Sequence, residues 1–173
     1  MAARPSGDGL QPHHHHFFHM NVLFVCEDNC ALSIMAESIL RAVAGNRFGS
    51  YSAGCASRNA IDPQVLDFLA DHHMPIEGLH AKTVRDFRAP SAPKMDFIIT
   101  LSDAAAAQDF SDWPGRPFVA HWNICDEDDT QAELRDYFWT LMRRIKVFAS
   151  LPHGKLTRRA LERRALTLQP SYL

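Results

Sequence analysis

The sequence predicts an α/β domain with a mainly parallel, four-stranded sheet covered on both faces. Short β-rich runs at residues 21–26, 48–53, 95–101 and 118–122 alternate with stretches of helical spacing, an order that requires crossover connections. The first run, Asn21-Val22-Leu23-Phe24-Val25, and the third, Met95 to Leu101, are apolar enough for strands buried on both faces. A length of 173 residues with 46% hydrophobic and 22% charged residues suits one domain with a real core.

The elements follow in order. Residues 21–26 form a strand cut off by the polar loop from Glu27 to Ala31. From Ser33 to Ala44, Ile34, Met35, Ile39, Leu40 and Val43 keep helical spacing, and Gly45-Asn46 stops the helix. Phe48 to Ala53 is a second strand ending at Gly54. Asp62-Pro63 then supplies an N-cap and a first-turn proline for a helix burying Val65, Leu66, Phe68 and Leu69. Residues 75–94 read as loop with a short helix near Thr83 to Phe87. Met95 to Leu101 and Phe118 to Trp122 complete the strands, the latter after the turn Trp113-Pro114-Gly115. Thr130 to Ser150 is amphipathic through Leu134, Phe138, Leu141, Ile145 and Phe148, and a last helix is expected over 156–168.

The domain is expected over residues 20–168, with a short tail at 169–173. Residues 1–19, which include a four-histidine run and show no packing periodicity, read as a disordered or tag-like extension, with Met20 an alternative start. No secretion signal is visible, so Cys26, Cys30, Cys55 and Cys125 are expected as reduced thiols in a cytoplasm. The formal charge of −2 gives no basis for nonspecific nucleic-acid or membrane-surface binding, and no apolar run approaches the roughly 18 residues of a membrane span. Arg158, Arg159, Arg163 and Arg164 read as a solvated basic face. His72-His73 reads as a helix C-cap, and Trp113, Trp122 and Trp139 as core or cleft-rim residues.

In parallel sheets the chemistry gathers outside the carboxyl ends of the strands. Here those ends are Cys26, Gly54-Cys55, Ser102-Asp103 and Cys125-Asp126. A strand, a tight loop and a helix N-terminus aim unpaired N–H groups at one spot, an anion site. A cysteine at the start of such a loop can attack as a thiolate, and an acid at a later strand end can protonate the leaving group.

The stretch Val25-Cys26-Glu27-Asp28-Asn29-Cys30-Ala31-Leu32-Ser33 resembles the active-site loop of the low-molecular-weight protein tyrosine phosphatase and thioredoxin-coupled arsenate reductase superfamily. That loop is a cysteine, five residues, an arginine, then serine or threonine. Ser33-Ile34-Met35-Ala36-Glu37, Tyr51-Ser52-Ala53-Gly54, Met95-Asp96-Phe97, Trp113-Pro114-Gly115 and Ala120-His121-Trp122 extend the resemblance toward the arsenate reductase branch, from about residue 20 to 165. It implies a three-layer α/β/α fold, a small oxyanion or phosphorylated substrate and no cofactor. It also implies Cys26 as nucleophile, Asn29 as the prop of the loop, Ser33 as the hydroxyl serving the thiolate and Asp126 as general acid. Bland readings stand beside these: Cys26 as a small buried residue, Asn29 and Ser33 as loop brace and helix cap, and Asp126 as a solvated acid of Asp126-Glu127-Asp128-Asp129.

The departures matter more. Leu32 stands where the arginine would clamp the oxyanion with a bidentate, charge-assisted pair. Glu27 and Asp28 replace an uncharged residue and a glycine, and two carboxylates repel a dianion and oppose a thiolate. The usual proline after the acid is Glu127, and the two relay cysteines of arsenate reductases are replaced by Ser102 and Phe110. Weak or absent turnover is therefore expected. The alternative is a thiol-based metal-binding or redox-sensing role for Cys26, Cys30, Cys55 and Cys125.

Overall fold

The computed structural model describes residues 19–56, 60–124 and 134–156. Its strands are β1 (Met20–Cys26), β2 (Phe48–Gly54), β3 (Phe97–Thr100) and β4 (Phe118–His121), all parallel in the order β2-β1-β3-β4. The helices are α1 (Leu32–Ala44), α2 (Pro63–Asp71), α3 (Val84–Arg88), α4 (Asp103–Ala106) and α5 (Leu134–Ser150). The expected three-layer α/β/α architecture is the observed one.

Alternation along the central strands divides the core in two. Val22, Phe24, Ile99 and Leu101 face α1, α2 and α5, where Ile34, Ile39, Leu40, Leu69, Phe138, Leu141 and Ile145 are buried. Leu23, Val25 and Ile98 face the other way, onto Phe87, Ala105, Phe110 and Trp113. Burying a side chain of this size is worth about 1.5–3 kcal/mol, which is why the central strands carry almost no polar residue.

Local chemistry set several boundaries as expected. The Asp62 carboxylate accepts from the Gln64 N–H at 2.9 Å, with Pro63 in the first turn of α2. Thr83 caps α3 in a reciprocal capping box with Asp86. β3 is shorter than the sequence suggests. Asp96 is spent on β1, its carboxylate accepting from the Asn21 N–H at 2.7 Å, and ladder pairing begins at Phe97. The four-residue α4, capped by Ser102, was not foreseen. Trp113 is buried and Trp122 packs on the core, but Trp139 is 46% exposed on the outer side of α5. His72 does cap α2, yet it is half-buried and stacked on Phe68, with ring centroids 4.1 Å apart. Among the described residues no helix is long and apolar enough to cross a membrane. The N-terminal extension over residues 1–18, the helix expected beyond Leu156 with its arginines, and the tail lie outside the described residues.

Candidate functional site

β1, one of the two central strands, delivers its last residue to the carboxyl edge of the sheet, and the chain then has five residues in which to reach α1. Past the formal end of the β1–β2 ladder, the Cys55 N–H donates to the Cys26 carbonyl at 3.0 Å and the Ala56 N–H to the Glu27 carbonyl at 2.8 Å. The loop then turns over Gly54. A methyl group at that position would stand 2.8 Å from the Asp28 carbonyl carbon and 3.0 Å from the Asn29 nitrogen, so the close approach requires glycine.

Cys26 is buried at the centre of this turn. Its Sγ lies 2.8 Å from the Ser33 hydroxyl and accepts the Asn29 N–H at 3.3 Å. Asn29 is fully buried with φ at 58°, a left-handed conformation that asparagine tolerates better than most residues. Its Nδ2 donates to the Ser33 hydroxyl at 2.8 Å, and its Oδ1 accepts the Lys82 N–H at 2.7 Å. Ser33 lies inside the first turn of α1 and spends its hydroxyl on Cys26 and Asn29. The N-cap position belongs to Ala31, which makes no side-chain cap.

Residues to which the sequence assigns no role hold this frame. Glu37, one turn further along α1, is buried, and its carboxylate receives the Lys82 ammonium at 3.2 Å, an Arg41 guanidinium nitrogen at 2.7 Å and the Ser52 hydroxyl. Ser50 donates to the Glu37 carbonyl at 2.9 Å. Lys82 also donates its ammonium to the His80 carbonyl at 2.7 Å and accepts the Gly54 N–H at 2.8 Å on its own carbonyl. One lysine thus ties together the loop prop, the end of β2 and the middle of α1. The visible signal was a glutamate on the apolar face of α1 opposite two inward-facing serines of β2; each is costly to bury unless paired.

The electrostatics around Cys26 oppose a thiolate. Burial pushes its thiol above the usual value and the Asp28 charge adds to this, against the lowering effect of the Ser33 hydroxyl and the loop N–H groups. Burial and then Asp28 push the Cys30 thiol up to about 12. Cys55 moves in the same direction, chiefly by burial, with Cys26, Glu27 and Asp28 contributing. Glu27 is exposed and Asp28 half-buried, and Leu32 packs its side chain against the α1–α5 core. Alkylation by iodoacetamide, which reads thiolate, should therefore be slower at pH 7–8 for Cys26 than for a free cysteine, and should climb only as pH passes the ordinary value of 9.0. Peptide-resolved mass spectrometry checks this; rapid labelling of Cys26 at neutral pH would refute it.

Cys26, Cys30 and Cys55 are free thiols on one edge of the sheet, but Cys55 packs toward the α3–α4 side. Among the described residues no three His, Cys, Asp or Glu side chains are arranged to hold a metal ion. Cys125 and Asp126 lie outside the described residues.

Comparison with known proteins agrees with this geometry. The model of the family "low molecular weight phosphotyrosine protein phosphatase" matches residues 21–113. No curated protein sequence matches the chain significantly. Among solved structures, a thioredoxin-dependent arsenate reductase of Corynebacterium glutamicum superposes with a TM-score of 0.57 at 23% identity, covering 75% of this chain and 59% of its own. An arsenate reductase from Archaeoglobus fulgidus gives 0.59 at 24%, covering 75% and 99% respectively. A low molecular weight protein tyrosine phosphatase from Streptococcus pyogenes gives 0.60 at 16%, covering 83% and 97%. At such identities the superpositions speak for the fold, and the chain spans 59% of the Corynebacterium protein's length. Since the family pattern runs through more than half of the sequence, from the strand before Cys26 to Trp113, the chain belongs to the low molecular weight phosphotyrosine protein phosphatase family.

Proposed function

We propose that this chain is a phosphatase-fold protein with little or no turnover on phosphotyrosine or arsenate. The observation that carries the reading is the loop's charge. From Cys26 to Ser33 it holds two carboxylates and no cationic side chain, and the half-buried Leu32, at the position of the family's arginine, packs against the core. Hydrogen bonds to a charged group are worth roughly 1.5–3 kcal/mol each, and an arginine fork makes two of them. Their loss, together with a protonated thiol, removes both the clamp on the substrate and the attacking form of the nucleophile.

Any residual activity would follow the family's steps. The Cys26 thiolate would form an S–P bond as the P–O bond to the leaving group breaks. Asp126 would give its proton to the departing oxygen, and water would then cleave the S–P bond. The absence of cysteine at Ser102 and Phe110 speaks against passing a disulfide on to thioredoxin, and hence against arsenate reduction in that form. The cytoplasm, with its reduced thiols, is the compartment that suits the three free cysteines among the described residues.

The test is turnover of p-nitrophenyl phosphate, and of arsenate with reductant, by the unchanged protein beside Cys26→Ser. Rates that coincide with each other and with buffer are expected. Turnover that Cys26→Ser abolishes would overturn the reading.

A further inference from the structure

We propose that Asp28 is the specificity-determining residue of the loop, excluding oxyanions by placing the protein's own carboxylate on a loop donor that an incoming anion needs. This rests on the reading above and adds a second, separable cause to it. In the structure Asp28 Oδ1 accepts the Cys30 N–H at 3.2 Å, between the nucleophile position and the start of α1. Asp28 also pushes the Cys30 thiol up, after burial, and its charge bears on Cys26 and Cys55. A dianion entering the loop would have to displace this carboxylate from Cys30 and then lie against its charge. Glu27, by contrast, is exposed, and water screens it.

Two independent defects are thus combined. Leu32 takes away attraction, whereas Asp28 adds repulsion and competes for a donor. Most of the backbone frame is held by Asn29, Ser33, Lys82 and Gly54 through contacts in which the Asp28 carboxylate takes no part; its own share in the frame is the bond to the Cys30 N–H. Restoring arginine alone should consequently leave the loop a poor anion site. Releasing Asp28 as well should open it.

Inorganic phosphate is the probe, with affinity measured by titration calorimetry and by broadening of its 31P resonance. The proteins compared are Leu32→Arg alone and Leu32→Arg combined with Asp28→Asn or Asp28→Gly. Both double variants are expected to bind phosphate at least tenfold more tightly than the single one. Asparagine removes the charge and keeps an acceptor, while glycine removes both, so a further gain with glycine measures the competition for the donor. Equal affinity in the single and double variants overturns the proposal. Should the doubles fail to fold, as judged by circular dichroism, Asp28→Asn in the otherwise unchanged chain carries the test. Its phosphate resonance must then broaden at a concentration where the unchanged protein gives no effect, and the absence of any difference overturns the proposal. Because this experiment reads equilibrium binding and the Cys26→Ser comparison reads turnover, either idea can fail without the other.

Discussion

In Glu37→Ala the protein is expected to lose about 3–5 kcal/mol of stability, the range for removing one partner of a buried ion pair. For a domain of this size that is a fall of roughly 6–20 °C in the thermal midpoint, followed by circular dichroism. The reason is geometric. Glu37 is 4% exposed and receives Arg41, Lys82 and Ser52 at once, so its removal leaves a buried ammonium without its counter-charge, though still bonded to the His80 carbonyl, and takes the acceptor from a buried hydroxyl. Arg41, at its more exposed end, can turn to water, but Lys82 cannot.

The same variant should show a particular pH dependence. Burial already pulls the Lys82 ammonium below its ordinary 10.5, against the pull of Glu37, and removing the carboxylate lowers it further. The folded variant then binds fewer protons than the unfolded chain in the window below 10.5, so its stability rises with pH there. The deficit relative to the unchanged protein should be greatest at neutral pH and shrink toward pH 10. A deficit under 1 kcal/mol at pH 7, on the scale of an exposed pair, would show that the network contributes no more than a surface ion pair does.

Asn29→Ala should cost about 2–4 kcal/mol. Part is the unpaired Lys82 N–H, since a stranded buried donor costs about 1–3 kcal/mol. The rest is backbone strain, because a left-handed conformation is roughly 1–2 kcal/mol worse for residues with no local side-chain hydrogen bond to offset it. Asn29→Gly separates the two. Glycine accepts φ near 58° without strain but still abandons Lys82 and Ser33, so it should recover only the conformational share. Denaturant unfolding of the pair gives the partition; alanine and glycine variants of equal stability would remove strain from the account.

Much of this was legible in the sequence. The strand ends, the Asp62-Pro63 start of α2 and the Thr83 start of α3 follow from local rules in which neighbouring residues decide the outcome. Cys26, Asn29 and Ser33 came through the resemblance of the loop, and the structure brings all three within hydrogen-bonding distance. Lys82 did not come through, because it lies in an aperiodic stretch and acts on residues 45 and 53 positions away. Nothing in local spacing announces such a partner. The contact between Asp28 and Cys30 is local, but sequence shows only that the residues are neighbours, not that the carboxylate turns inward. α4 escaped notice because four residues are too few to display a period.

Lys82 joins the loop to a segment more than fifty residues downstream through its backbone N–H, and to α1 through its ammonium. Mould and filling are consequently specified by different parts of the chain. The frame is closed by partners distant in sequence, while the proposed choice of ligand rests on the side chains at 28 and 32. Substitution at those two positions would leave the Lys82 contacts in place, so a frame of this kind can be kept while the chemistry above it changes.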